Sequence, residues 1–128
     1  MNEIKVNTKC KQYKKEDKTT QKAINALLER LLMKINAEGK DVNGIYNNDS
    51  IIYDRINKSF FLYKAHGANN TQLRIVYAFE RKGENSILYL IDYVVKKKND
   101  KQYIADMNNK FRTSELTDMA FSNIACAI

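Results

Sequence analysis

The stretch "LRIVYAFERKGENSILYLIDYVV", residues 73–95, decides the fold of this chain. Two runs rich in β-branched and aromatic residues, 73–80 and 86–95, flank the turn-type segment RKGEN, which contains Gly83. Such runs, joined by a short glycine-containing segment, are typical of a β-hairpin. We therefore predict two adjacent antiparallel strands here.

Two further runs upstream of this hairpin, "FFLYKA" (60–65) and "IIYDRI" (51–56), have the same strand character. The segments between them, NK and HGANNTQ, are of turn type and short enough to link antiparallel neighbours. Another short strand is predicted at Ile4–Val6. Because turns rather than helices separate the strands, we expect a small antiparallel sheet, and a parallel βαβ architecture is disfavoured.

The clearest helical periodicity lies in residues 19–39, where apolar side chains form one continuous stripe. Thr19 or Thr20 is suited to cap the start of this helix, and Gly39 is suited to end it in a left-handed conformation. Alternation along residues 73–80 turns one apolar face of that strand toward the helix. The stripe consists of Ile24, Leu27, Leu28, Leu31, Leu32 and Ile35, and the facing strand residues are Leu73, Ile75, Tyr77 and Phe79.

Two more helices are predicted after the last strand. The first starts near Asn99 or Asp100, either of which is suited to cap it. The second lies in the tail, residues 113–128. The fold class is therefore α+β, with an N-terminal helix packed on the sheet and C-terminal helices after it. The residues at helical spacing are Ile104, Met107 and Phe111 in the first of these helices, and Leu116, Met119, Ala120 and Ile124 in the second.

Composition indicates a single domain over residues 1–128, with 44% hydrophobic and 29% charged residues. The net charge of +7 favours a polyanion or an acidic protein as partner. Cys10 and Cys126 lie far apart, without a CxxC motif, so neither a zinc site nor a disulfide framework is supported. No segment approaches the roughly 20 apolar residues that span a bilayer. We expect a cytoplasmic protein with reduced thiols and no membrane partner.

Basic residues gather near the end of the hairpin. Arg74 lies on the second face of its strand, where an unpaired charge is costly, so it either forms a structural ion pair or faces a concave wet surface. Lys64 lies on the neighbouring strand, where it is either a plain exposed lysine or a partner of Arg74. Lys97 belongs to a lysine run that ends the next strand, and Tyr103 follows it. His66, the one histidine of the chain, is either a loop residue or a general acid or base.

Motifs for metal-dependent hydrolysis, for glycosidase chemistry and for nucleotide binding do not occur in the sequence, so we expect no metal and no cofactor. Metal-free RNA cleavage needs a base for the 2′-OH proton, cations for the charged phosphorane and an acid for the 5′ oxygen. Arginine, lysine and tyrosine side chains can meet these needs.

The segments "LRIVYAF" and "LIDYVVKKKNDKQYIADM" resemble the RelE/ParE superfamily of bacterial toxins, which includes the HigB and YoeB branches. That family has an N-terminal helical hairpin, a strand reading roughly "yRhhY", a strand ending in KK or KR, and a tyrosine that begins the last helix. The run from Arg74 to Tyr77 matches the first strand motif, and Lys96, Lys97 and Tyr103 match the second. The resemblance covers about residues 20–107 and leaves 112–128 as a C-terminal extension.

The resemblance implies a RelE-like microbial RNase fold that enters the ribosomal A site, cuts mRNA and is held inactive by a cognate antitoxin, expected to carry an acidic segment. It implies that Arg74 and Lys97 stabilise transition-state charge, that Tyr103 stacks on a base or transfers a proton, and that Lys64 assists them. Lys97 stands where some members have arginine, which keeps the charge but loses the bidentate fork. The residues expected to hold RNA are Lys96, Lys98, Lys101 and His66.

Two alternatives share this fold and stay open. One is a ParE-like inhibitor of DNA gyrase. The other is a non-catalytic nucleic-acid-binding domain that uses its basic face to hold phosphates. The RNase branch is favoured, because the chain contains Arg74, Lys97 and Tyr103 together.

Overall fold

The computed structural model of the protein describes residues 2–38, 54–57, 59–66, 72–95 and 100–124. Within these ranges, six strands form one sheet in the order β2-β3-β4-β5-β1-β6. The strands are β1 (Asn2–Asn7), β2 (Asp54–Arg55), β3 (Phe61–His66), β4 (Gln72–Lys82), β5 (Asn85–Val95) and β6 (Phe121–Ile124); the helices are α1 (Lys11–Lys15), α2 (Lys18–Glu38) and α3 (Asp100–Phe111).

The central hairpin is confirmed. β4 and β5 pair antiparallel from Leu73 opposite Val95 to Lys82 opposite Asn85. The two-residue turn between them uses Gly83, whose φ of 61° lies in the left-handed region that glycine adopts without steric cost. β3 pairs antiparallel with β4, and β2 with β3, so the predicted meander is confirmed where the chain is described. Residues 51–53 of the first predicted strand lie outside the described ranges.

The expectation of an antiparallel sheet is wrong at one position, because β1 lies parallel to β5. Turn lengths predict only how consecutive strands pair, whereas β1 and β5 are far apart in the chain and need no direct connection. In this position, β1 buries Ile4 and Val6 in the core. The sheet is therefore mixed, within an α+β fold.

The predicted tail helix is also wrong. A single 3-10 turn, Leu116–Asp118, is followed by β6, which pairs antiparallel with β1 from Ile4 opposite Ile124 to Asn7 opposite Phe121. Without β6, the outer edge of β1 would expose a row of unpaired backbone groups, and the tail satisfies them. The stabilisation that the tail gains by pairing with β1 outweighs its weak tendency to form a helix.

The helix predicted from the apolar stripe is confirmed as α2, but its cap is not where we predicted it. α2 begins at Lys18, and the amide of Gln21 donates to the carbonyl of Asp17 over 2.9 Å, so Thr19 and Thr20 lie inside the first turn. Gly39 lies outside the described residues. The short helix α1 precedes α2, and α3 confirms the helix predicted after the last strand, with Asp100 as its first residue rather than its cap.

A separate core covers each face of the sheet. We name them by their helices, the α2-side core and the α3-side core. Ile75 and Tyr77 face α2, as the alternation predicted, whereas Val76 and Ala78 face α3. The α2-side core consists of Ile4, Val6, Cys10, Ile24, Leu28, Leu31, Leu32, Ile35, Phe61, Tyr63, Ile75, Tyr77, Leu88, Leu90 and Tyr93; the α3-side core consists of Ile56, Phe60, Leu62, Val76, Ala78, Ile87, Tyr89, Ile91, Tyr103 and Phe111.

In the described part of the chain, no helix has the length and apolar character needed to cross a bilayer.

Candidate functional site

Arg74 lies in the middle of the sheet, at the end where β5 finishes. Its backbone stands opposite Lys64 of β3 on one side and opposite Val94 of β5 on the other. The residue is only 5% exposed. It therefore does not face a concave wet surface, one of its two predicted environments, in this conformation. The strand register thus brings Arg74 and Lys64 side by side in the backbone. The side chain of Lys64 lies outside the description.

A β-bulge in β5 shapes the strand next to Arg74. Asp92 stands opposite Val76 and Leu90 stands opposite Tyr77, so Ile91 is the extra residue. The side chain of the buried Asn7 donates to the freed carbonyl of Ile91 over 3.1 Å. A bulge re-aims the side chains of its strand, and here it sets Asp92 beside Val76 on the face that α3 covers.

The carboxylate of Asp92 joins three elements. Its Oδ2 accepts a charge-assisted bond from Lys110 of α3 at 2.6 Å, and its Oδ1 accepts from the Tyr93 amide at 2.8 Å. The Cys10 thiol donates to the same Oδ1 over 3.6 Å. Sequence reasoning missed Asp92, although one signal was present: it is the single charged residue within the apolar run "SILYLIDYVV".

Tyr103 completes the cluster from α3. The residue is 6% exposed, and its hydroxyl is buried with no hydrogen-bond partner among the described residues. Desolvation raises the pKa of this phenol well above its usual range, the charge of Asp92 raises it further, and the charge of Arg74 acts in the opposite direction. Tyr103 therefore keeps its proton at neutral pH. Its hydroxyl is a proton and hydrogen-bond donor rather than a base.

Arg74, Asp92 and Tyr103 form what we call the α3-side cluster. Cys10 borders it from the other core, and burial raises the pKa of its thiol to about 11. A thiol that stays protonated is a poor nucleophile, so Cys10 has a packing role. Among the described residues, no group of three His, Cys, Asp or Glu side chains could hold a metal ion.

The other predicted site residues are only partly placed. Lys101 is exposed in the first turn of α3. His66 ends β3 opposite Gln72, and its side chain lies outside the description. The lysine run 96–98, and with it Lys96, Lys97 and Lys98, falls between the described ranges. The structure thus brings together Arg74 and Tyr103, with Lys64 in register beside them.

An open cleft of about 440 Å³ lies at the C-terminal end of α3, lined by residues that include Asn57 and Arg112. Asn57 joins this end of α3 to the start of β3: its amide nitrogen donates to the carbonyls of Phe111 at 2.7 Å and Ser114 at 3.0 Å. Its amide oxygen accepts from the backbone amides of Ser59 and Phe60. These four bonds occupy Asn57 fully, so it is a structural clamp.

Comparison of the chain with protein-family models, with curated proteins and with solved structures gave no match. The relation to the RelE/ParE superfamily stays a prediction.

Proposed function

We propose that this protein is the toxin of a type II toxin-antitoxin system, a ribosome-dependent and metal-independent endoribonuclease that cuts mRNA. One observation supports the proposal most directly: a guanidinium, Arg74, and a protonated phenol, Tyr103, are both nearly fully buried on the α3 side of the sheet, near enough for the Arg74 charge to act on the Tyr103 pKa. Lys64 stands opposite Arg74 in register, and Lys97 follows β5 in the sequence. Cations beside a proton donor are what metal-free RNA cleavage requires.

In the proposed reaction, the 2′-OH of the RNA attacks the adjacent phosphorus and loses its proton to a base. The bond from phosphorus to the 5′ oxygen breaks, and that oxygen takes a proton, so a 2′,3′-cyclic phosphate and a 5′-OH end result. Arg74 stabilises the charge of the phosphorane, an effect worth about 3 kcal/mol for one well-placed donor. Tyr103, which keeps its proton, donates to the 5′ oxygen. Lys64 and His66 are the candidates for the base.

The proposal requires α3 to shift, because Arg74 of β4 and Tyr103 of α3 are both nearly fully buried. At its C-terminal end, α3 is held by the Lys110–Asp92 ion pair, in which the Lys110 side chain is 57% exposed. Ion pairs with that much solvent contact contribute about 0–1 kcal/mol. Displacing α3 would open Arg74 to a phosphate. It would also give the unpartnered Tyr103 hydroxyl an acceptor.

The same burial favours a second candidate, a non-catalytic nucleic-acid-binding domain. In that function, Arg74 and Tyr103 are parts of the core, and exposed lysines alone contact phosphates. The two candidates differ in whether RNA is cut.

Primer extension on an mRNA incubated with purified ribosomes separates these candidates. We expect the wild-type protein to give discrete cuts that require ribosomes, and Tyr103→Phe to reduce cutting by about 10²–10⁴-fold, the usual value of general acid catalysis. Tyr89→Phe is the matched control, because Tyr89 is buried on the same face but bonds to Glu80 over 2.9 Å. Cutting by Tyr103→Phe at the wild-type rate would contradict the catalytic role. Absence of cuts with folded wild-type protein would favour the binding domain.

The remaining expectations belong to this proposal. The cognate antitoxin carries an acidic segment that meets the net charge of +7. The protein acts in the cytoplasm, where mRNA and ribosomes are, and uses no cofactor.

A further inference from the structure

The positive charge of the chain is concentrated near its N-terminus. Residues 5–22 contain seven lysines against Glu16 and Asp17, which gives this segment a net charge of +5 out of the +7 of the whole chain. The lysine run 96–98 supplies less. A segment with this charge density attracts a polyanion.

Five of these lysines are exposed on the described surface: Lys9, Lys14, Lys15, Lys18 and Lys22. We call them the N-terminal basic surface. Lys18 and Lys22 are four residues apart on α2, so they lie on one face of that helix, about 5–6 Å apart at Cβ.

The backbone that carries these lysines is firmly attached to the domain. The Tyr13 hydroxyl donates to Asn25 Oδ1 over 2.9 Å, and the Gln21 side chain donates to the Tyr13 carbonyl over 2.9 Å. The Tyr13 ring meets the buried Tyr93 ring edge to face, with centroids 6.4 Å apart. The lysines are therefore presented on a fixed frame, which lowers the entropy lost on binding.

Glu16, one of the two acids in the segment, is engaged inward. It hydrogen-bonds to the Tyr93 hydroxyl, which contributes to raising the pKa of that tyrosine. The five lysines of the N-terminal basic surface are all exposed, so their charge is directed at solvent.

The surface lies at the same end of the sheet as the α3-side cluster. β1 and β5 are parallel and both finish there, since Val6 stands opposite Leu90 and the Cys10 thiol reaches Asp92. α1 follows β1 at this end, and Arg74 pairs with Val94 close to the end of β5. One extended polyanion that crosses this end can contact both regions.

We propose that the N-terminal basic surface binds the phosphate backbone of single-stranded RNA, as a docking surface distinct from the α3-side cluster. The choice of RNA over an acidic polypeptide rests on the proposed function. Lysines are flexible point charges that contact phosphates without reading bases, so binding here depends on salt and not on sequence.

The experiment measures anisotropy of a fluorescent single-stranded RNA of mixed sequence over a range of salt concentrations. All proteins carry Tyr103→Phe, so that the RNA stays intact. The test variant adds Lys15→Gln, Lys18→Gln and Lys22→Gln. The control variant instead adds Arg81→Gln, Lys82→Gln and Arg112→Gln, which removes the same charge from exposed positions elsewhere. Circular dichroism checks that both variants fold.

We expect the test variant to bind RNA at least about tenfold more weakly at low salt, with the slope of log K against log salt smaller by about 2, because each lost phosphate contact removes about 0.7. The control should stay within about twofold of the parent. Equal losses in the two variants, or none in the test variant, would overturn the proposal. So would binding of polyglutamate in preference to RNA.

Failure of this inference and failure of the proposed function give different results. If the cluster does not cut RNA, primer extension with the wild-type protein shows no cuts, while the lysine variant still loses RNA affinity. If the surface does not dock RNA, the lysine variant binds like its parent whatever the cutting result.

Discussion

The two sides of the sheet are packed very differently. On the α2 side, the helix spans Lys18–Glu38. Four of its apolar side chains are at most 1% exposed: Leu28, Leu31, Leu32 and Ile35. On the α3 side, the apolar residues at helical spacing include Ile104 and Met107, which are only partly buried. α3 is also shorter, at 12 residues against 21. Burial of apolar area is the main source of stability, so α2 is fixed more firmly than α3.

The polar groups are divided just as unevenly. Among described residues, Arg74 is the buried charged residue, and it lies on the α3 side with the unpartnered Tyr103 hydroxyl. Burying a polar group without a hydrogen-bond partner costs free energy, so the Tyr103 hydroxyl lowers the stability of this side. α2 therefore holds the fold together, whereas α3 is the helix that the proposed function requires to open.

Core truncation on each side tests this difference most strongly. Leu32→Ala should lower the free energy of unfolding by about 2–5 kcal/mol, because Leu32 is fully buried and leaves a cavity. Ile104→Ala should cost about 1 kcal/mol, because part of that side chain already contacts water. Urea denaturation measures both. A larger loss from Ile104→Ala would mean that α3, not α2, anchors the domain.

How far sequence predicts this molecule depends on the range of the interactions. The α2 stripe and the β4–β5 hairpin follow from local patterns, and both are confirmed. The tail was mispredicted because β6 forms only where the distant β1 offers an edge. The parallel pairing of β1 with β5 is equally non-local, and no turn signal encodes it.

The candidate site was predictable in part for the same reason. Arg74 and Tyr103 were named from residue type and spacing, and they lie on the same face. Spacing does not reveal that α3 packs over that face, so the burial of Arg74 was not foreseen. Asp92 needed the bulge at Ile91 and the position of Lys110, which only the three-dimensional arrangement provides.

Alkaline pH should destabilise the α2 side of the molecule, by weakening the contact of α1 with the α2-side core. The Cys10 pKa is raised from 9.0 to about 11 by burial, so the folded state holds the thiol proton more tightly than the unfolded state. That contribution is fully present below about pH 9 and is lost as the pH rises through about 11, on the order of 2 kcal/mol in total. Unfolding by urea should show the start of this fall between about pH 8.5 and 10, below the pH at which the buried tyrosines begin to contribute, and Cys10→Ala should reduce it there. An unchanged slope in Cys10→Ala would place the titration elsewhere.

Release of α3 at its C-terminal end should have a smaller effect. Asn57→Ala removes four hydrogen bonds, two of them to carbonyls at the end of α3, and should cost about 1–2 kcal/mol. Faster amide exchange in α3 than in α2 would accompany that loss. Gln102→Ala is the control, because it removes an exposed bond to Asp106 within the helix, worth about 0.2–0.5 kcal/mol. Equal exchange in both helices would contradict independent opening of α3.

The smallest change in stability is expected from Tyr103→Phe. The sign of that change distinguishes an unpartnered hydroxyl from a hydrogen-bonded one. The substitution removes a buried hydroxyl that has no partner among the described residues and leaves the ring in place. The free energy of unfolding should therefore stay the same or rise by up to about 1 kcal/mol. Tyr89→Phe, which breaks a hydrogen bond to Glu80, should instead lose about 1 kcal/mol. If Tyr103→Phe destabilises the protein as much as Tyr89→Phe does, the hydroxyl is a satisfied part of the core. A variant that is as stable as the wild type but does not cut RNA would mean that the hydroxyl is kept for chemistry.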